Sequence, residues 1–181
     1  MRTNARTGAR DGVVAPREKE LDGIVIRAAA AADAPRVSRL LRSWSHTYTL
    51  SPMAEGAEAF LATLEVPAVA AFIVRSDVMY IVAESGEGFA GAAALRDHRS
   101  VEHLFVDAAY LGIGLGRRLW ETLRDAALQA GNPGVFTVHS SVNAVPIYER
   151  FGFVVAGERI VGHGGVSVPM VLDMTRSTGG G

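Results

Sequence analysis

The chain has 181 residues, a formal charge of −1 and no cysteine. That length suits one domain with a full core, the charge gives no electrostatic reason to expect nucleic acid as a partner, and the missing thiols exclude disulfides, a thiolate nucleophile and a thiolate metal site, in keeping with a cytoplasmic protein. No apolar run approaches the ~20 residues needed to span a bilayer, so no membrane partner is expected.

Residues 1–22 mix Arg2, Arg6, Arg10 and Arg17 with Asp11, Glu18 and Glu20, without periodicity. The acids argue against a transit peptide, and the lack of an apolar stretch argues against a secretory signal. This segment is expected to be a disordered tail, as are residues 177–181, which leaves residues 23–176 as the single domain. A short strand is expected over residues 24–27. Asp33 then serves as a helix N-cap, with Pro35 in the first turn and Val37, Leu40, Leu41 and Trp44 on one buried face. His46 and Tyr48 follow in a loop or second helix, and residues 57–64 and 67–75 read as short helices.

Three apolar runs come next, over residues 78–84, 89–96 and 101–106. Ser85-Gly86-Glu87-Gly88 supplies hairpin chemistry between the first two, and His98-Arg99 makes the next turn, so an antiparallel meander is expected. Alternation along the third run puts His98, Ser100, Glu102 and Leu104 on one face and Val101, His103 and Phe105 on the other.

After Val106 the chain reads Gly112, Ile113, Gly114, Leu115, Gly116 and then Arg117-Arg118 at the start of a helical pattern. Strand, glycine loop and helix start together turn backbone N–H groups towards one point, the glycines remove obstructing Cβ atoms, and the helix end adds positive partial charge. This is the pattern of a site for a phosphorylated ligand. The spacing G-x-G-x-G is not the dinucleotide fingerprint, which also wants its loop after the first strand, and no Lys-Ser or Lys-Thr pair follows to make a P-loop.

The helix runs through Leu119, Leu123 and Ala130 to a stop at Gly131, and residues 135–139 form a strand that a crossover makes parallel to the one before the loop. Residues 143–151 are a short helix. Pro146 must lie within its first turn, and Asn143 is the one good cap among residues 143–145. Strands over residues 153–160 and 166–174 close the chain, with Pro169 hinting at a bulge or an edge. The sum is a mixed α+β sheet, antiparallel first and parallel at the glycine loop, with flanking helices.

Two segments carry a resemblance to a known family. Leu111, Gly114 and Gly116 fall on the pattern Gln or Arg, two residues, Gly, one residue, Gly or Ala, which is similar to the pyrophosphate turn of the GNAT superfamily of acyl-CoA-dependent N-acyltransferases. Leu111 stands where a polar side chain is usual, and a backbone amide there can still donate. SSVNAVPIYERFGFVVAGER resembles the family segment in which an aliphatic-Tyr-Glu is followed by Gly-Phe, and GGVSVPMVLDM resembles the closing strand of many members. The order of elements over residues 24–175 matches the GNAT fold, whose parallel strands splay apart at the acyl-CoA site.

The resemblance implies chemistry at named positions. Leu104 and Val106 would offer backbone groups to the pantetheine arm of acetyl-CoA, and Leu111 with residues 112–117 (Gly112, Ile113, Gly114, Leu115, Gly116 and Arg117) would hold the pyrophosphate. Asn143 either bonds the pantetheine or only caps its helix. Tyr148 matches the tyrosine that protonates the departing thiolate; the residue pattern alone equally allows a core aromatic. Glu102 or His98 acts as the base, directly or through water, or else the two are an exposed carboxylate and a turn histidine. His46 and Tyr48 shape an acceptor pocket or lie on the surface. The histidines show no metal-ligand spacing, so no metal is expected. The implied activity is direct acetyl transfer from acetyl-CoA to a primary amine, on a small molecule or on a protein N-terminus or lysine. The alternative is a catalytically idle domain that binds acyl-CoA as a sensor, and a homodimer is left open.

Overall fold

The structure is a computed structural model that describes residues 21–47, 57–162 and 165–175. Most of the expected tails, with Tyr48, lie outside the described residues. Leu21 and Asp22, grouped with the tail on composition, form a 3-10 turn with Gly23, and Leu21 packs against the core.

The elements in chain order are β1 (Val25–Ala28), α1 (Ala34–Ser43), α2 (Glu58–Thr63), α3 (Val66–Ile73), β2 (Val78–Ser85), β3 (Gly88–Arg96), β4 (Ser100–Val106), α4 (Leu115–Gln129), β5 (Val135–Ser141), α5 (Val145–Arg150), β6 (Val154–Val155), β7 (Ile160–Gly162) and β8 (Gly165–Asp173). They build one mixed sheet in the order β1-β2-β3-β4-β5-β8-β6, with β7 also on β8. Among the described residues only the β4–β5 pair is parallel, as a strand-helix-strand crossover requires.

The sheet is covered on both faces. α4 and α5 pack Leu119, Trp120, Leu123 and Tyr148 against Ala93, Leu95 and Phe136. α1 and α3 pack Val37, Leu41 and Val69 against Val82, Ala92 and Ala94. The small residues of β3 let both helix layers approach the same strand. Gly91 marks the tightest point, because a Cβ there would lie 2.9 Å from the Phe105 carbonyl oxygen and 3.0 Å from Leu119 Cδ1.

Three expectations are corrected. Asp33 occupies the N-cap position of α1, yet its carboxylate makes no cap bond. It is drawn instead to the Arg27 guanidinium at 2.8 Å, to Arg36 and to the Ala30 N–H. Asn143 does not cap α5 either: Ala144 holds that position, and Asn143 is exposed within a preceding 3-10 turn. The strand expected over residues 153–160 is broken into β6 and β7. Pro169 explains the break. Its carbonyl accepts from Ala156 N–H at 2.9 Å, but it has no N–H to return, so the neighbouring chain leaves the ladder until Ile160 pairs with Ser167. β8 is therefore an interior strand, with β5 on its other side.

Candidate active site

The site begins with a one-residue irregularity in β4. Ala94 pairs with His103 and Leu95 with Val101, so Glu102 is the extra residue of a bulge. Regular alternation therefore fails here. Val101, Leu104 and Val106 share the face towards α4, whereas His103 and Phe105 face α3 and β2. Glu102 and Leu104, expected on one face by alternation, both line the cavity, Glu102 as the bulged residue.

The same irregularity ends the parallel pairing. β4 and β5 are paired at Ser100–Thr137 and Val101–Val138, and beyond these residues β5 pairs with β8 alone. Asp107 N–H donates to Ala90 on β3, so in an antiparallel ladder Val106 and Leu104 turn their N–H and C=O groups the other way, into the gap. The Val106 carbonyl there accepts the Trp44 indole N–H at 3.0 Å. An opened sheet edge lined by backbone groups is a ready template for an extended amide-bearing ligand.

The glycine loop stands at the end of β4. Gly112 and Gly114 adopt φ values of +81° and +87°, a left-handed region costly for any side chain. Gly114 is the N-cap of α4, so the N–H groups of residues 114–117 have no acceptor within the helix. Ile113 and Leu115 anchor the loop by packing into the core, and a Cβ on Gly116 would lie 3.6 Å from Val106 Cγ2, which ties the loop to the gap. Leu111 and Arg117 stand differently from the amide donor and cation expected. The Leu111 side chain is 53% exposed, and its N–H already reaches the Ala108 carbonyl at a long 3.4 Å. The Arg117 guanidinium bonds the Arg150 carbonyl at 3.0 Å and lies over the Phe151 ring. The loop's positive end is thus backbone and helix dipole.

A cavity of about 470 Å³ fills the gap between β4 and β5 and continues to α1, α2 and α3. Glu102, Leu104 and Tyr148 line it, and Tyr148 is 7% exposed, held edge-on against Phe151 and Phe153. Glu102 forms an ion pair with Arg96 at 3.0 Å. His98 is not brought to the cavity: it sits exposed in the β3–β4 turn with φ +53°. His46 is exposed and stacks on Trp44. Among the described residues no group of three His, Cys, Asp or Glu is arranged to hold a metal ion.

Sequence reasoning passed over His103 and Tyr80. The Tyr80 hydroxyl and His103 Nδ1 are 2.8 Å apart, with Phe72 and Phe105 around the imidazole. Burial pushes His103 down to about 4 and raises Tyr80, so both stay neutral at pH 7. The signal available was the histidine itself on an otherwise apolar strand face.

Comparisons with known proteins agree with this architecture. A GCN5-related N-acetyltransferase from Rhodopseudomonas palustris superposes with a TM-score of 0.67 at 20% identity, covering 83% of this chain and 95% of its own. The PaiA N-acetyltransferase of Thermoplasma acidophilum, solved with coenzyme A, gives 0.63 at 17%, covering 82% and 97%. A solved form of the spermidine N-acetyltransferase of Vibrio cholerae gives 0.58 at 22%, covering 86% and 99%. At these identities the likeness is one of fold. No curated protein sequence matches the chain. No helix among the described residues is long and apolar enough to cross a membrane. Residues 49–174, more than half of the chain, match the family model described as the acetyltransferase (GNAT) domain, and the chain belongs to that family.

Proposed function

We propose that this protein transfers an acetyl group from acetyl-CoA to a primary amine by direct attack within a ternary complex. The observation that carries the reading is the early end of the β4–β5 pairing, which leaves Leu104, Tyr148 and Glu102 around one cavity, while Val106 at the end of the same strand borders the glycine loop at Gly116. Residues 112–116 bind the pyrophosphate through backbone N–H groups, and the Asn143 amide, exposed and free of a capping duty, meets the pantetheine arm. A phosphate needs close approach to backbone, and the two left-handed glycines provide it.

Glu102 takes a proton from the acceptor ammonium, directly or through water, which frees the nitrogen lone pair. The nitrogen bonds the thioester carbonyl carbon, the carbon–sulfur bond breaks, and the Tyr148 hydroxyl protonates the departing thiolate. Tyr148 recovers its proton from solvent. His98, exposed in its turn, takes no part.

A second reading, an idle domain that binds acyl-CoA, draws on the Trp44 bond to Val106, which occupies a lone pair the pantetheine would use. A free-thiol release assay over a panel of amines separates the two. Amine-dependent release supports transfer, whereas tight acetyl-CoA binding with no release for any small amine, N-terminal peptide or lysine peptide supports the idle domain.

A further inference from the structure

The cavity is made of two unlike halves. On the α4 side of the sheet it holds Leu104, two residues before the end of β4, and Tyr148. On the other side it is walled by Leu41, Phe60, Val69, Phe72 and Phe105, with His103 among them. The gap between β4 and β5 joins the halves. If the phosphorylated donor lies over the loop, as the proposed function holds, the second half is left to the acceptor.

The charge in this cavity is sparse. Among the described residues that line it, Glu102 is the one carboxylate, and it is already matched by Arg96 at 3.0 Å. His103 is neutral, and its Nδ1 is engaged by Tyr80. A polyamine would bring two or more ammonium groups into a space whose described lining offers one partially compensated carboxylate. Each unmatched charge among these rings would meet the full cost of desolvation. An aromatic ring instead gains buried area and edge contacts with Phe72 and Phe105. The polar end of such a molecule meets the polar part of the lining, where Glu102, His139, Ser140 and Tyr148 lie, and Glu102 is the group there that can pair with an ammonium.

We infer that the acceptor is a monoamine carried on an apolar, aromatic body, seated against Phe72 and Phe105 with its nitrogen at Glu102. This rests on the proposed acetyl transfer and narrows it to one substrate class. Phe72 is then a specificity-determining residue. It projects from α3 into the cavity, packs edge-on to Tyr80 with ring centroids 6.1 Å apart, and lies 5.3 Å from the His103 ring.

The test uses 2-phenylethylamine and spermidine as probes of the full chain. Initial rates with acetyl-CoA and calorimetric binding to the coenzyme A-loaded protein are measured for both amines. The expected result is a preference of at least about tenfold for 2-phenylethylamine, equivalent to about 1.4 kcal/mol. Phe72→Ala should weaken 2-phenylethylamine by about tenfold, Phe72→Leu less, and neither should move spermidine. Equal or better binding of spermidine overturns the inference, as does an equal effect of Phe72→Ala on both amines or no detectable binding of 2-phenylethylamine. A thermal shift with acetyl-CoA runs alongside. Absence of any shift contradicts the donor site itself, whereas a normal shift with a polyamine preference contradicts only the acceptor class.

Discussion

The Trp44 indole N–H donates to the Val106 carbonyl at 3.0 Å, across the gap where β4 and β5 have parted. A helix from one half of the cavity thereby touches the backbone edge of the other. A carbonyl has two lone pairs, so a ligand amide can join the indole on this oxygen or displace it. In either case the indole's surroundings change.

Acetyl-CoA should therefore alter tryptophan emission, and Trp44→Phe should abolish the change. Trp120, the other tryptophan, is 2% exposed beneath α4 and should stay silent. Affinity should fall by no more than about fivefold in Trp44→Phe, because one hydrogen bond contributes roughly 1 kcal/mol net. An emission change that survives Trp44→Phe would place the ligand elsewhere.

The two loop glycines should respond differently to the same methyl group. Gly114→Ala forces a side chain into φ +87° and close to Leu21, and should cost about 1–2 kcal/mol of stability as well as donor affinity. Gly116 has helical geometry, and an added Cβ meets Val106 at an ordinary 3.6 Å. Gly116→Ala should be neutral or stabilising by up to about 1 kcal/mol. Urea denaturation of both variants decides this, and equal losses would contradict the loop geometry.

Much of this site was legible in the sequence, and the parts that were not have physical reasons. Gly112 and Gly114 announced the loop because left-handed backbone has few tenants. The β2–β3–β4 meander followed from apolar runs separated by turn residues. The bulge at Glu102 was invisible, since alternation assumes one residue per pleat and a single inserted residue reverses every later side chain. The bulge parts Val101, which joins Leu104 and Val106, from His103 and Phe105. Asn143 was chosen as a cap by propensity, and Ala144 holds the position because the preceding 3-10 turn already sets the chain's entry into α5. Pro169 hinted at a bulge or an edge in its own strand, but β8 is a regular interior strand and the consequence fell on its neighbour, which breaks into β6 and β7.

Acid should destabilise the fold in two separate windows. The folded-state value for His103 is about 4, against 6.5 for the free group. As pH falls below 6.5 the unfolded chain binds a proton that the folded chain refuses until about pH 4, so stability drops across that interval. The loss should reach about 3 kcal/mol by pH 4, and His103→Gln should remove it. Arg27, with Arg36 and the Ala30 N–H, holds Asp33 well below the usual carboxylate range. Its contribution is present above about pH 4 and is lost as pH falls further through the folded value. Asp33→Asn should cost about 2 kcal/mol at pH 7, at the low end for a buried carboxylate because Arg27 and Arg36 are part-exposed. Denaturation curves from pH 1.5 to 7.5 check both windows. A His103→Gln slope matching the wild type between pH 6.5 and 4 would contradict the first.

Tyr148 is where acetyl transfer and mere binding part company. Its ring is fixed by Phe151 and Phe153, so Tyr148→Phe keeps the packing and removes only the hydroxyl to which the proposed mechanism assigns the proton transfer. With an amine the wild type acetylates, kcat for Tyr148→Phe should fall by about 100- to 10,000-fold, the range for a positioned acid or base. Acetyl-CoA affinity, measured by calorimetry on the same preparation, should stay within about threefold, since ground-state contacts are barely touched. Unchanged turnover in that variant, with affinity likewise unchanged, would contradict the mechanism.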